Sequence, residues 1–522
     1  MAEMDSKSGV STYEPETRNR YISLVAEIRG ESYDETAAIM QGVRERYGIT
    51  YLEFVRNKMY LGRTADDIKA NAQRYIERNK NSIRRCARET GWTYEEAERR
   101  MRETKERWPS ITYRNFVEYG FYNMTEEETQ AKVDRWNERS RSYADAVVMH
   151  TGWSHEKARQ QISRYDVLYD IAPMLFPCYR AWDLSDAEMD CYARQATSMQ
   201  LHKLYNNRRE ANIVDDKVRF NKRFDEFMHR AWWVNTPDAT YEEFLERVGG
   251  VDELFCKPVR SGGGLGTFIV KVAGRDPREV YDEFMGRTLV LAEERIVQHP
   301  EVNEFYAGCI DTVRVVSILD EGEVHVLGAA MRFGQKGIVD NVNAGGMVAL
   351  IDEATGVITT PAVDRNGSVH ETHPVSGKRF EGFQVPLWDQ VLDTVERGMR
   401  VLDGVNYLGW DIAVGPEQIS VVEANTVPDL DLLQLPSSLS GHAIRYRFNP
   451  YVAKGEERRA AEFAAAGDDA AYGSREDFEF TKVRGGALPH LVQRFFARGA
   501  RPRRSRRGAR GGDRRPRVRG QP

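Results

Sequence analysis

The residues best suited to handle phosphate lie in the stretch Phe255-Cys-Lys-Pro-Val-Arg-Ser-Gly-Gly-Gly-Leu-Gly-Thr267. Lys257 closes a short apolar run and supplies a point charge. Behind it, in the loop from Ser261 to Gly266, Gly262, Gly263, Gly264 and Gly266 can take the positive φ values that turn successive backbone N–H groups onto an anion. Phe268-Ile-Val-Lys-Val272 reads as a returning strand, giving a strand, glycine loop, strand unit. No helix pattern follows the glycines, and neither the P-loop ending nor the dinucleotide spacing fits. A plain glycine-rich hairpin turn has the same local signature, so the residues downstream must decide.

Gly409-Trp-Asp-Ile-Ala-Val-Gly-Pro-Glu-Gln-Ile-Ser-Val-Val-Glu-Ala-Asn425 is the second chemistry-bearing stretch. Glu423 and Asn425 are two apart on one predicted strand and share a face. A three-residue loop at Pro416–Gln418 pairs Gly415 with Ile419 and sets Asp411 opposite Glu423, so that two carboxylates and an amide oxygen converge. Such hard oxygen donors suit Mg2+, which is held by one or two carboxylates and completed by nucleotide phosphates. A two-residue loop instead puts Asp411 on the other face and leaves two solvated acids at a sheet edge. Arg314 lies in an apolar strand, where an arginine is seldom buried without a partner, and this favours a functional role. Lys217, at a helix start, also reads as an ordinary surface lysine. His299 and His373 flank prolines, where a structural hydrogen bond accounts for them as well as catalysis does. Cys256 alternates with Lys257 along its strand and reads as core.

The elements that must position these residues change along the chain. From about residue 18 to 200 the pattern is helical and repeats: Gly30-Glu-Ser-Tyr-Asp-Glu-Thr, Gly91-Trp-Thr-Tyr-Glu-Glu-Ala and Gly152-Trp-Ser-His-Glu-Lys-Ala recur with a period of about 61 residues. A glycine ends one helix, Ser32, Thr93 or Ser154 caps the next, and stacked units would bury the recurring aromatic residues between neighbours. These aromatics are expected to be core, and the array a scaffold or recognition surface. Asp215-Asp-Lys-Val-Arg-Phe220 precedes a helix-like stretch to Trp233, and Thr240–Arg247 reads as a capped helix. Short strands follow from Thr288 onward, with a hairpin turn at Asp320-Glu-Gly-Glu323, a helical pattern over Pro386–Gly404, and a last pair of strands ending near Asn425. Beyond Pro450 come charged helix formers and a short amphipathic piece at Leu488–Phe496. Arg498 to Pro522 holds eleven arginines against one acid, Asp513, so the chain's net charge of −5 leaves the remainder near −15. Low hydrophobicity and like charge predict disorder for that tail.

The chain of 522 residues is too long for one core. The five cysteines are scattered without a Cys-x-x-Cys, which supports neither a disulfide framework nor a zinc site. The polar N-terminus lacks a signal-peptide apolar region, and no window is apolar enough to span a membrane, so a cytoplasmic location is expected.

Taken together, Asp216-Lys217, Lys257-Pro258 with its glycines, Glu293-Glu-Arg-Ile-Val-Gln-His-Pro300, Thr312-Val-Arg314, Met331-Arg-Phe-Gly334, Asp340-Asn341 with Gly345-Gly346, His373-Pro374, Gly409-Trp-Asp411 and Glu423-Ala-Asn425 resemble the ATP-grasp superfamily, and within it the sugar-transfer-associated ATP-grasp proteins. The likeness runs from about Asp215 to Gln434. It implies an α+β ATP-grasp catalytic domain, preceded here by the all-α repeats, with ATP between two subdomains and the glycine loop as a mobile cover. The resemblance makes Lys217 and Lys257 the phosphate lysines, and Glu293 and Ile296, with Arg295 between them, the adenine-binding hinge. It makes Asp411, Glu423 and Asn425 the Mg2+ ligands and Arg314 the cation over the transferring phosphate. Arg332 and Asn341 correspond to substrate- and phosphate-side groups, and either Glu301 or Glu304 to the ribose-binding acid. The expected domains are a disordered 1–17, helical repeats over 18–200, the ATP-grasp domain over 201–450, an extension over 451–497 and a disordered tail over 498–522. The expected function is an ATP-dependent carboxylate–amine ligase working through an acylphosphate, acting on small-molecule substrates. A small-molecule kinase uses the same first step. In another class stands an interaction protein whose repeats bind a protein partner or whose arginine tail binds nucleic acid or another polyanion.

Overall fold

Each helical unit starts where a glycine ends one helix and a hydroxyl begins the next. Gly30, Gly91 and Gly152 have φ of 68°, 76° and 69°. Ser32 Oγ accepts a hydrogen bond from Glu35 N, Thr93 Oγ1 from Glu96 N and Ser154 Oγ from Lys157 N. The computed structural model describes residues 14–466 except 63, 170, 260–265 and 436–443. The expected disorder of the tail, the Leu488–Phe496 piece and most of the 1–17 segment lie outside the described residues.

The three units share an order of elements. A helix (Tyr33–Tyr47, Tyr94–Arg107, His155–Tyr169) leads to a short helix (Tyr51–Arg56, Tyr113–Glu118, Leu175–Cys178) and then a 3-10 turn (Met59–Leu61, Phe121–Asn123, Ala181–Asp183). The residue before each 3-10 turn, Lys58, Gly120 or Arg180, is left-handed. Units one and two end on long helices, Ala65–Thr90 and Glu126–Thr151, each opened by a capping box at Thr64 or Thr125. In unit three the four-residue helix Asp186–Met189 stands in that place.

The aromatic residues are largely buried, but within cores of their own units rather than as layers between stacked units. A helix of 26 residues is about 39 Å long, more than one such core spans. Ile68, Ala72 and Tyr75 of the first long helix therefore belong to one core, and Ile83 and Cys86 to the next. The second long helix likewise gives Val133 to one core and Ala144 and Val147 to another. Unit one also touches unit three, through Tyr60 Oη donating to Val167 O at 3.0 Å.

The rest of the described chain forms two antiparallel sheets. The smaller holds β1 (Trp232–Val234), β2 (Glu253–Pro258), β3 (Phe268–Lys271) and β4 (Val290–Glu294) in the order β1-β4-β2-β3. Here the expected helix up to Trp233 is corrected. It stops at Met228, His229 turns with φ 46°, and the aromatic and β-branched Trp232-Trp-Val segment pairs with β4. The larger sheet holds β5 (Thr312–Asp320), β6 (Glu323–Phe333), β7 (Met347–Ile351), β8 (Ala362–Asp364), β9 (Val369–His370), β10 (Tyr407–Val414) and β11 (Ile419–Asn425) in the order β11-β10-β5-β6-β7-β8-β9. The β5–β6 turn is the expected Glu321-Gly322 pair, with φ of 52° and 88°.

Both faces of the larger sheet are covered. Val313, Val315, Trp410 and Ile412 pack against the helix Trp388–Gly398, which is shorter than the predicted Pro386–Gly404. Val316, Ile318 and Tyr407 share a core with the third helical unit and with Phe448 of the helix Arg445–Ala466. No helix among the described residues is long and apolar enough to cross a membrane.

The helical units are joined to the sheet by a close backbone contact. Gly367 has φ 78°, and an ideal Cβ there would lie 2.2 Å from Pro177 O. Around it Cys178 Sγ donates to Arg365 O at 3.0 Å and Arg180 Nη1 to Gly367 O at 3.1 Å. Gly367→Ala is expected to destabilise the protein by about 1–3 kcal/mol through strain at a left-handed, sterically closed position. Differential scanning calorimetry measures this, and an unchanged melting profile would show that the junction yields freely.

Candidate functional site

One rung of the larger sheet concentrates the charge. Glu423 on β11 pairs with Asp411 on β10, and Asp411 with Arg314 on β5, so the three side chains leave one face side by side. The hairpin reaches this register by an unexpected route. Gly415 N donates to Gln418 O at 3.0 Å and Val414 pairs with Ile419, which leaves the two-residue loop Pro416-Glu417. That loop alone would set Asp411 opposite Val422. A bulge between Asp411 and Ile412 makes Val422 the extra residue and brings Glu423 opposite Asp411.

Asp411 is 1% exposed and is held by two arginines. Arg314 forks onto it, Nε to Oδ1 at 2.5 Å and Nη2 to Oδ2 at 3.0 Å, and Arg332 Nη2 reaches Oδ2 at 3.1 Å. Burial pushes the Asp411 carboxyl up, but the two guanidiniums outweigh it and hold it below the usual carboxylate range. Burial and the charge of Asp411 push Glu423 the other way, above that range. Arg332 also donates to Thr312 Oγ1 from Nε at 2.9 Å, lies 3.3 Å from Asp340 and reaches Asn341 Oδ1 at 3.4 Å. Thr312 in turn donates from N and Oγ1 to Asp340 Oδ2 at 3.0 and 2.5 Å.

The smaller sheet supplies the facing wall. Phe255, Ile269 and Glu293 share a rung of β2, β3 and β4, and Lys257 follows two residues along β2. Glu293, 2% exposed, takes Lys257 Nζ at 2.5 Å, Arg230 Nη2 at 2.6 Å and Asn221 Nδ2 at 3.1 Å. Burial raises its pKa, but Arg230 and Lys257 more than reverse this and bring it down to about 2. Arg230 also donates to Ser420 Oγ and Val421 O on β11, both at 2.7 Å, and so ties the two sheets together. Between the walls lies a cavity of about 170 Å3 whose lining includes Lys217, Lys257, Glu293, Arg332, Asp411 and Glu423.

Residues 196–445 match the family described as sugar-transfer associated ATP-grasp. Those residues form a sugar-transfer-associated ATP-grasp domain. Among solved structures, the chain is similar to the D-alanine-D-alanine ligase from Coxiella burnetii, with 13% identity over 49% of this chain and 62% of that one and a TM-score of 0.29. It is also similar to the D-alanine–D-alanine ligase from Bacillus anthracis complexed with ATP, at 16% identity over 49% and 70% with a TM-score of 0.31. A third is the ATP-grasp ligase PsnB complexed with minimal precursor, Mg and ADP, at 16% identity over 48% and 62% with a TM-score of 0.28. The chain thus spans about three fifths of the Coxiella structure's length. No curated protein matches.

Within the ATP-grasp domain the sequence-predicted residues divide into three groups. Lys217, Lys257, Glu293, Arg295, Ile296, Arg332, Asn341, Asp411 and Glu423 all line the cavity. Lys217 does open a helix, behind the Asp216 N-cap, yet it lines the cavity rather than lying only at the surface. Ser261, Gly262, Gly263 and Gly264 lie outside the described residues, while Gly266 has φ 78° and an ideal Cβ there would lie 3.1 Å from Pro258 Cγ. Arg314 and Asn425 are absent from the lining: Arg314 sits behind Asp411, and Asn425 pairs with Gly409. Glu301 and Glu304 are absent from it too, and Lys378 contacts both, donating to Glu301 O and pairing with the Glu304 carboxylate. His373 is buried with Nε2 on Gly334 O, His299 Nδ1 accepts from Glu301 N, and Cys256 is core.

Sequence reasoning passed over Arg230, Thr312 and Asp340. Thr312 and Asp340 stood next to chosen residues in the motifs. Arg230 carried only the weak signal of an arginine entering an aromatic strand.

No group of three His, Cys, Asp or Glu side chains able to hold a metal occurs among the described residues. Two facing carboxylates, one of them pushed toward neutrality by burial and by the other's charge, nonetheless fit Mg2+, which takes one or two protein carboxylates and completes its shell with phosphate and water. Asp411 and Glu423 would hold it.

The depressed acidity of Glu293 makes a stability prediction. Its ionisation stabilises the fold fully above the ordinary carboxylate pKa near 4.5, and that stabilisation is lost as pH falls toward about 2. Glu293→Gln is expected to cost about 2–4 kcal/mol at pH 7, because Arg230 and Lys257 lose a buried partner. Urea unfolding should show the gap between wild type and variant narrowing from pH 5 to pH 3. A pH-independent gap would remove the ion-pair account.

Proposed function

We propose that this protein is an ATP-dependent carboxylate–amine ligase. The observation that carries the reading is one cavity into which Lys257, Arg332 and a facing carboxylate pair converge from two sheets and Lys217 from a helix start, without an activated nucleophile among the described residues. Cys309 is on the wall, but burial and then the charge of Asp311 push its thiol well up, so it stays protonated. A site of this composition works by positioning and charge neutralisation, which suits phosphoryl transfer.

Phe255, Ile269 and Ile296 offer an apolar slot for a base, and Lys217 and Lys257 face the phosphates. Mg2+ held by Asp411 and Glu423 would neutralise phosphate charge when bound. Arg332 and Asn341 orient the acceptor carboxylate, which attacks the γ-phosphate to give an acylphosphate and ADP. An amine then displaces phosphate and leaves an amide. The helical units serve as a scaffold, since the third shares a core with the sheet that carries the charged rung.

With ATP, Mg2+ and a pool of small carboxylates, the protein is expected to release ADP and, with hydroxylamine present, to accumulate a hydroxamate. Glu423→Gln and Asp411→Asn should each lower both signals about 100-fold or more, the scale for loss of one preorganised electrostatic group. A stable phosphorylated product without hydroxamate would establish a kinase instead.

A further inference from the structure

Asp411 has two cationic partners, and they are not equivalent. Arg314 makes a two-bond fork to Asp411 from the neighbouring strand and is not part of the cavity wall. Arg332 touches Asp411 through one bond, at 3.1 Å, and does line the cavity. Its remaining contacts, to Thr312, Asp340 and Asn341, are enough to hold the guanidinium in place if the bond to Asp411 breaks. On the other side of Asp411 stands Glu423, a carboxylate also on the wall, directly across the rung.

We propose that Arg314 is a positioning residue that fixes the Asp411 carboxylate, and that Arg332 is an exchangeable counter-cation which leaves Asp411 when a divalent cation binds there. This rests on the reading of Asp411 and Glu423 as a divalent-cation site. In the ligand-free protein Arg332 neutralises the charge that the site needs for the cation, so the cation must compete with it. Once displaced, Arg332 keeps its anchors on Thr312 and Asp340, Nη2 among them through its bond to Thr312 Oγ1, and the Nη2 N–H released by Asp411 can meet an anion in the cavity. Cation binding and the presentation of Arg332 are then one event. The cavity acquires its full anion-binding strength only when the cation is present. Lys257, the other cation near Glu423, has no such role, because its partner is Glu293 rather than Asp411.

The test is Mn2+ binding to the full chain, read by the electron paramagnetic resonance of free Mn2+ in the absence of nucleotide. Removing the competitor in Arg332→Gln is expected to tighten Mn2+ binding about tenfold, as the loss of one close positive charge at protein-surface dielectric allows. Arg295→Gln removes a charge from the same cavity that is paired to Glu253, without freeing Asp411, and should change the affinity by less than about twofold. Equal or weaker Mn2+ binding in Arg332→Gln, or an equal gain in Arg295→Gln, would overturn the exchange. If Arg332→Gln fails to fold, Arg332→Met serves, since it removes the charge but keeps an unbranched side chain, and it too should bind Mn2+ more tightly than wild type. Wild-type Mn2+ binding by Asp411→Asn would overturn the cation site itself and the exchange with it.

Discussion

The fork between Arg314 and Asp411 is the constraint on which the rest of this site depends. Both groups are almost fully buried on one rung of a sheet whose two faces are covered by apolar cores. A buried charge is tolerated only when paired with good geometry, and removing one partner typically costs about 3–5 kcal/mol. The pair therefore fixes the register of two strands at once, since a slip of one residue on β5 or β10 would send one charge to the opposite face. The bulge at Val422 adds Glu423 to the same rung. A sheet optimised for stability alone would fill these positions with valine, as it does on either side at Val313, Val315 and Val421.

A second buried ion pair joins the two walls. Arg230 leaves a turn at His229, reaches Glu293 on the smaller sheet and donates to two atoms of β11 on the larger. The cavity width is thus set by a guanidinium of fixed length rather than by loops. The third helical unit covers the far end of the same face, because Val316 and Tyr407 bury their side chains against it while Arg314 and Asp411 take up the cavity end of the same strands. Sequence remote from the cavity in this way contributes to the stiffness of the rung.

What could be read from the sequence was whatever is decided locally. The glycine helix stops, the hydroxyl caps, the Glu321-Gly322 turn and the return of β3 on β2 all follow from residues within a few positions of one another. The set of cavity residues was largely legible too, because lysine, arginine and acid side chains in apolar strands need partners. Two features were not. The hairpin of β10 and β11 has a two-residue loop, which by itself predicts the wrong face for Asp411, and only the pairing of β10 with β5 shows why the strand bulges. Arg314 was expected over a phosphate and is found behind Asp411, because its nearest acid lies 97 residues away in sequence and one strand away in space. The cores of the helical units were likewise misjudged, since the length of a repeat does not reveal that its long helix serves two cores.

Charge balance gives these pieces a common logic. The cavity lining contains five cationic residues, Lys217, Arg230, Lys257, Arg295 and Arg332, and five acids, Glu293, Glu294, Asp340, Asp411 and Glu423. Without a ligand the wall is therefore close to self-neutral, with Glu293, Asp340 and Asp411 each paired to a lining cation. A ligand bearing several negative charges cannot enter such a cavity on electrostatic grounds unless positive charge arrives with it or internal pairs open. Glu423 is the acid in which this tension is visible, as burial first and then the charge of Asp411 push its carboxyl up. A cavity neutral by itself is matched to a polyanion that brings a divalent cation, and mismatched to the polyanion alone.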